Sequence, residues 1–492
     1  MKKIFMLCFQ LISTAFLVGQ NNLQYNPHDF YLPTFDPPAG NLYRSANGAP
    51  GSMYWQNRAD YLIHATLSEK DTTVSGDVTI TYTNNSPDQL DFLWLQLDQN
   101  LFNSNSRGNA ATPLTGDRFD SNGFEGGYQI SDVSITYNGK TYQVKPIITD
   151  TRMQVRLNSS LLPKGDKIKI EVNFSFAIPA DGADRLGRLY TKNGVIYEIA
   201  QWYPRICVYD DVIGWNTLPY LGLGEFYCEY GDYDYYITAP AEMIVYGSGD
   251  LQNPQDVLTS EEIKRLSNAA KSDKTVFIVK PDEIGQPEMR PTTTGNLIWH
   301  FTMKNTRDVA WAASKGLVWD AAKINLPSGR KATAMSAYPI EVMGDTAWSR
   351  STEYLKASIE IYSKDFYEYP WNSAVSVAGK VSGMEYPGMI FNDYKETKGP
   401  LWFLISHEIG HNWYPMIVGS NERKYMWQDE GFNCFINYQA TAIFNGGEYA
   451  KDDTLYNPDY WSMLNVDSLP YRNNPLMLLS DAMGEDEFFI YY

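Results

Sequence analysis

The chain has five histidines in 492 residues, and two of them stand four apart in His407-Glu408-Ile409-Gly410-His411. In a helix, residues four apart lie on one face, so both imidazoles can turn to a single ion. Glu408 sits about 100° round the same helix, outside the ligand shell but within reach of a metal-activated water. Eighteen residues follow His411 before Glu430, in the run Trp427-Gln428-Asp429-Glu430-Gly431-Phe432. A carboxylate there completes a set of two His and one Glu with the fourth position open, which is the ligand set of a catalytic zinc. A structural zinc is closed by four protein ligands, commonly with Cys. Cys434, a helical turn past Glu430, is expected to pack in the core instead. The reading is one zinc per chain on His407, His411 and Glu430, favoured over other metals by ligand type. Glu408 is then the general base, taking a proton from water and passing it to a leaving amine. That chemistry is peptide hydrolysis, and by itself it leaves exo- and endo-cleavage open.

Positioning such a set takes two packed helices. Leu401 to Tyr414 reads as one, and the stretch beginning near Glu430 as the other. Leu355, Ile359, Tyr362 and Phe366, at spacings of four, three and four, mark the apolar face of a third. Ahead of residue 336, alternation with a period of two dominates. Val78, Ile80 and Tyr82 form one such run, and Ile168, Ile170, Val172, Phe174 and Phe176 another, bounded by Asn84-Asn85-Ser86-Pro87 and Pro163-Lys164-Gly165-Asp166. These read as half-buried strands joined by turns. A polar helical insertion is expected at Thr259 to Lys271, and strand again at Leu297 to Met303. Asn22 to Ser52, rich in Asn, Pro and Gly, reads as an extended lead-in. The expected fold is multi-domain, with an all-β, sandwich-like domain over 20–335 followed by a helix-rich domain over 336–492.

A net charge of −18 argues against nucleic acid as a partner, because phosphate binding needs concentrated Lys and Arg. Met1-Lys2-Lys3 and the apolar run Ile4 to Gly19 read as an export signal cleaved after residue 19. That run is too short and too polar for a stable membrane span, and nothing after it is long enough. The mature chain is therefore expected in the periplasm or outside the cell. It retains Cys207, Cys228 and Cys434, an odd number that leaves room for one Cys207–Cys228 disulfide but no disulfide framework.

Exo- against endo-cleavage turns on Ser382-Gly383-Met384-Glu385-Tyr386-Pro387-Gly388, whose Glu385 lies 22 positions before His407. Together, this segment, the His407-Glu408-x-x-His411 pair, the spacing to Glu430 and Glu430-Gly431-Phe432 resemble the aminopeptidase N family of gluzincins. That resemblance implies a thermolysin-like α+β catalytic domain over 336–492 and peptide substrates read from their N-terminus. The family segment is Gly-x-Met-Glu-Asn, and its Glu binds the substrate's free α-amine. By resemblance Glu385 takes that role on a strand edge at the rim of the cleft, with Gly383 and Met384 beside it. The physics agrees, since a carboxylate near the metal rewards a cationic N-terminus at a fixed distance from the scissile bond. This chain departs from the pattern at Ser382 and Tyr386, and Asp429 stands where many members have Asn.

Gln201-Trp202-Tyr203-Pro204-Arg205, Gly224-Glu225-Phe226 and Gly231-Asp232-Tyr233-Asp234 resemble late strands of the family's β domain, where a Gln touches the substrate's first residue. Gln201 matches it. Family members also use a Tyr about 60 residues past the ligand Glu to stabilise the oxyanion, where Tyr491 and Tyr492 stand. Members continue beyond that point, so the resemblance implies a C-terminally truncated chain. The competing readings are a thermolysin-like endopeptidase, which has no use for Glu385, and an inactive peptide-binding homologue, against which the intact motif argues.

Overall fold

The computed structural model describes residues 40–111, 124–183 and 185–450. The export signal and the Tyr491–Tyr492 pair lie outside the described residues. Residues 1–55 and 56–492 form separate compact units. In the first, the described lead-in turns back on itself through an Arg44–Pro50 bridge.

The second unit is strand-rich. Arg58–Ser68 buries Ala59, Tyr61, Ile63, Ala65 and Leu67 on one face. It pairs antiparallel with Thr73–Asn84 and parallel with Gly231–Pro240. Thr73–Asn84 pairs in turn with Asp166–Ala177, and the alternating residues of both face the core, as their pattern predicts. These strands are the centre of an eight-stranded sheet. Smaller sheets of five and four strands pack with it, and one hydrophobic core runs through all of them.

The insertion at Thr259 is helix α1, Ser260–Ala269, started by a capping box between Thr259 and Glu262. The strand expected at Leu297 to Met303 is Asn296–Thr306. Cys207 and Cys228 are bridge partners, but both are free, buried thiols, so the disulfide that the count leaves room for is absent.

A six-stranded sheet carries the segment of interest. Its order is Val276–Val279, Leu317–Asn325, Lys331–Pro339, Ser373–Gly379, Met389–Asp393 and Gly383–Tyr386. It therefore draws on strands from both sides of residue 336. Gly383–Tyr386 is an edge strand, paired antiparallel with Met389–Asp393.

Three helices accompany these strands: α2 Ser351–Asp365 before Ser373–Gly379, then α3 Lys398–Gly410 and α4 Met426–Ile443 after Met389–Asp393. Leu355, Ile359 and Tyr362 are buried, but Phe366 is 39% exposed, because α2 ends at Asp365 and Phe366 falls past the turn. The helix expected to run to Tyr414 stops sooner. His411 keeps helical backbone as the cap of α3, and Tyr414 is extended, as a residue before proline must be. Pro415 thus closes the helix just after its second histidine.

Candidate metal centre and its acidic neighbour

Helices α3 and α4 are locked in register by α4 side chains. Asn433 Nδ2 donates to the His407 carbonyl at 2.8 Å, and Asn437 Nδ2 donates to Ser406 Oγ at 2.6 Å. Gly410 allows the approach, since a Cβ there would lie 2.2 Å from Asn433 Oδ1. Tyr362 on α2 donates to the Ser406 carbonyl from the other side, at 2.9 Å.

This packing brings His407, His411 and Glu430 together in the interior, all three buried. His407 Nε2 lies 3.2 Å from His411 Nε2 and 3.2 Å from Glu430 Oε2, and His411 Nε2 lies 3.6 Å from the same oxygen. Ligands about 2.0–2.1 Å from a tetrahedral zinc sit about 3.3 Å from one another. The donor set therefore fits such an ion in type and in spacing. The two Nε2 atoms 3.2 Å apart and the carboxylate oxygen near both set three donor atoms around one point where an ion can sit. Burial pushes the His411 imidazole down to about 4; at His407 burial acts the same way, but contacts with Cys434 and Glu430 outweigh it and push the ring up. His411 Nδ1 lies 2.8 Å from the Tyr414 carbonyl and 2.8 Å from Asp429 Oδ1, which fixes that side of the ring. Cys434 is buried with its sulfur 3.9 Å from His407 Nδ1, behind the ring and outside the ligand set.

Glu408 is buried with its carboxylate against Gly383, where a Cβ would lie 2.7 Å from Oε1. Gly383 and Glu385 are two apart on the edge strand and so share a face. Met384 points the other way, its sulfur against Arg185, and Tyr386 stacks on Phe226 with ring centroids 5.6 Å apart. The loop before the strand is pinned by Glu198, whose Oε2 accepts from the Lys380 and Val381 amides at 2.7 and 3.0 Å.

Glu385 is on the expected strand edge, but it is only 2% exposed, within the protein rather than at a rim. Among the described residues it has no cationic partner, and its Oε1 makes no hydrogen bond. Burial, then the charges of Glu225 and Glu408, push its carboxyl well above the usual carboxylate range. Gln201 is fully buried in the left-handed region at φ 47°, and neither polar atom of its side chain is hydrogen-bonded among the described residues. Its carbonyl accepts from Gln99 Nε2 and the Tyr128 hydroxyl. No hydrogen bond joins it to Glu385 or to the histidines.

The motif reading names Glu225, Glu385 and Asp429 in separate segments but does not reveal that they meet, or that Glu422 joins them. Carboxylate oxygens of Glu225, Glu385, Glu422 and Asp429 all lie within 4.8 Å of one another. Arg185 pairs with Glu225 at 3.0 Å and Arg307 with Glu422 at 3.6 Å. Their positions in the sequence span more than 200 residues, so no local spacing announces them.

No family model matches the chain, and no curated protein matches its sequence. Solved structures do match. The M1 zinc metallopeptidase from Deinococcus radiodurans aligns with a TM-score of 0.53 over 89% of this chain and 80% of its own, at 14% identity. A mutant of that enzyme bound to a Tyr-Ser-Ala substrate aligns with a TM-score of 0.53 over 89% and 81%, also at 14% identity. A two-domain M1 zinc metallopeptidase mutant bound to L-tryptophan gives 0.51 over 87% and 79%, at 14% identity. At such identity the likeness is one of fold, and the chain has the fold of these enzymes.

Proposed function

We propose that this chain, built on the fold of the M1 zinc metallopeptidases, is an exported zinc aminopeptidase of that family, with its thermolysin-like catalytic domain over 336–492. The observation that carries the reading is the meeting of His407, His411 and Glu430 at mutual distances of 3.2–3.6 Å, with Glu385 within 4.8 Å of His411 and the charge of Glu408 acting on it. His407, His411 and Glu430 hold one zinc. When bound, that ion supplies Lewis acidity, activating water and polarising the scissile carbonyl. Glu408 accepts the water's proton on its carboxylate and returns it to the leaving amine. Gly383 leaves the space that carboxylate needs. Glu385 holds the substrate's α-ammonium and sets how many residues are removed, assisted by Gln201. Tyr491 or Tyr492 is assigned to the oxyanion by resemblance alone.

A buried carboxylate without a cation, beside the ligand histidines, favours the aminopeptidase over the endopeptidase. An extended peptide running through the site would leave the buried Oε1 of Glu385 without a partner, at a cost of about 1–3 kcal/mol. The test is hydrolysis of a panel of aminoacyl fluorogenic substrates by the full-length gene product, with N-acetylated peptides as controls. Free-amine substrates should be cleaved, acetylated ones spared, and activity lost to a chelator and restored by zinc. Equal cleavage of free and acetylated peptides would overturn the exopeptidase reading and leave a zinc endopeptidase.

A further inference from the structure

Gly383–Tyr386 sits at the edge of its sheet, paired with Met389–Asp393, so the chain entering it does much to place its first residue. That chain, Gly379 to Ser382, meets the five-stranded sheet of the strand-rich half. Asp181, Gly187 and Glu198 are cross-strand neighbours there, in one row over three strands. Each of them meets the entering chain. Lys380 Nζ pairs with Asp181 at 3.1 Å. The stem of Lys380 passes Gly187, where a Cβ would lie 3.5 Å from Lys380 Cγ. Glu198 Oε2 accepts from the amides of Lys380 and Val381 at 2.7 and 3.0 Å.

Of these anchors Glu198 is the strongest. It is fully buried, and a Cβ on Gly379 would lie 2.0 Å from its Cδ and 2.2 Å from both its oxygens. The carboxylate therefore fills the space that a side chain at 379 would need. The Lys380–Asp181 pair is partly exposed, with 44% of the lysine side chain in solvent, and holds the chain less firmly. Taking a carboxylate out of water is costly, and a loop can be held by neutral groups. What a carboxylate adds is two charge-assisted bonds of fixed direction to consecutive amides.

Two residues past Val381 stands Gly383, which leaves the room that Glu408 Oε1 fills. Two peptide units are too short a tether to absorb a shift at Val381. We infer that Glu198 is a positioning residue for the general base: by fixing the amides of Lys380 and Val381, it sets how closely Gly383 approaches the Glu408 carboxylate. This rests on the reading of Glu408 as the base. Glu198 acts through the chain, not by contact with the reacting atoms.

The test compares Glu198→Ala with Glu198→Gln in the zinc-loaded full-length protein. Alanine releases both amides, whereas the carboxamide oxygen of glutamine can accept the same two bonds. On a leucyl fluorogenic substrate, kcat of Glu198→Ala should fall about tenfold, the cost of moving a reacting group by about 0.5 Å. KM and zinc content should stay within about twofold of wild type, and Glu198→Gln should recover kcat to within about threefold. In a Glu408→Gln background, Glu198→Ala should change kcat by less than about twofold. Hydrogen exchange should quicken in Glu198→Ala over 379–386 and stay unchanged over the core strand Thr73–Asn84. Should Glu198→Ala fail to fold, Glu198→Asp, which draws the carboxylate back by one methylene, carries the same comparisons with a smaller loss.

A kcat of the alanine variant within about twofold of wild type would overturn the inference, and so would an equal loss in both backgrounds. Exchange that quickens throughout the protein, with kcat unchanged per folded molecule, would mean a merely structural role and overturn it too. Failure of the underlying reading looks different. There Glu408→Gln by itself keeps kcat within about tenfold of wild type, whatever Glu198→Ala does.

Discussion

Gly383→Ala isolates the space that the general base occupies. Gly383 lies in a strand, and its backbone is not in the left-handed region, so alanine is conformationally acceptable there. The added Cβ would lie 2.7 Å from Glu408 Oε1, 3.1 Å from Leu404 Cδ1 and 3.4 Å from Glu408 Cδ. Ordinary contact begins at 3.4 Å, so the carboxylate oxygen must retreat by 0.7 Å. A misplacement of about 1 Å in a reacting group costs about a hundredfold in rate, so 0.7 Å on a logarithmic scale costs about 25-fold. Stability should change by less than about 1 kcal/mol, since the lost chain entropy of glycine offsets a clash with a flexible carboxylate. Zinc content should not change, because no ligand is touched. The assay is kcat and KM on a leucyl fluorogenic substrate, with zinc analysis and a thermal melt on the same preparation. In a Glu408→Gln background, already short of its base, the same substitution should cost almost nothing more. A kcat within about twofold of wild type, or an equal loss in both backgrounds, would refute the placement of Glu408 as base.

Gly410→Ala puts a Cβ 2.2 Å from Asn433 Oδ1, the residue that fixes the His407 carbonyl. It should cost about 1–3 kcal/mol of stability, seen as a lower denaturant midpoint, and weaken zinc retention against a competing chelator. Asp320 is buried, accepting from Tyr338 at 2.6 Å and from Thr352, and burial raises its carboxyl from 3.8 to about 7. Between those values the folded state holds a proton that the unfolded chain lacks, so stability falls as pH rises from about 4 to about 7 and is level above. Relative to Asp320→Asn, the wild type should lose up to about 4 kcal/mol across that window, measured by chemical denaturation at stepped pH. A gap that does not move with pH would contradict it.

The meeting of His407 with His411 was legible because its information is local. Helical periodicity alone puts His407 and His411 on one face, although it carried the helix to Tyr414, past its end at Gly410. Strand alternation is local in the same way, and Val78 to Tyr82 and Ile168 to Phe176 needed nothing more. The strand Gly383–Tyr386 has four residues, too few to display a period, and entered only through resemblance to a known family. Asn433 and Asn437 read as ordinary polar helix positions, yet they set the register that delivers Glu430. Phe366 fits the periodicity of α2, but a helix end is decided by the backbone that follows, which periodicity does not see. Glu225 and Glu422 were hidden for another reason. A carboxylate is expected at the surface, and nothing in the neighbouring residues says that it will be buried.

Buried arginines account for how those carboxylates are tolerated. Arg205 lies between Asp98 and Asp308, and Arg423 also reaches Asp98, at 2.9 Å. Arg307 donates to the carbonyls of Cys228, Pro415 and Ser420 at 3.0–3.3 Å. Desolvating such ions costs about as much as their pairing returns, so the network is a poor source of stability. Its geometry suggests what it does instead. Arg307 holds the segment 415–423 that joins the two helices of the His407, His411 and Glu430 cluster to the Cys228 carbonyl, and Arg423, within that segment, ties it to Asp98. Removing either cation should therefore disturb Glu422 and Glu225 before it disturbs the fold. The charged network ties Glu225, from the strand-rich half, to the segment between the two helices that bring His407, His411 and Glu430 together. A site assembled from such distant parts needs fixed charges to hold its register, which apolar packing, having no direction, does not supply.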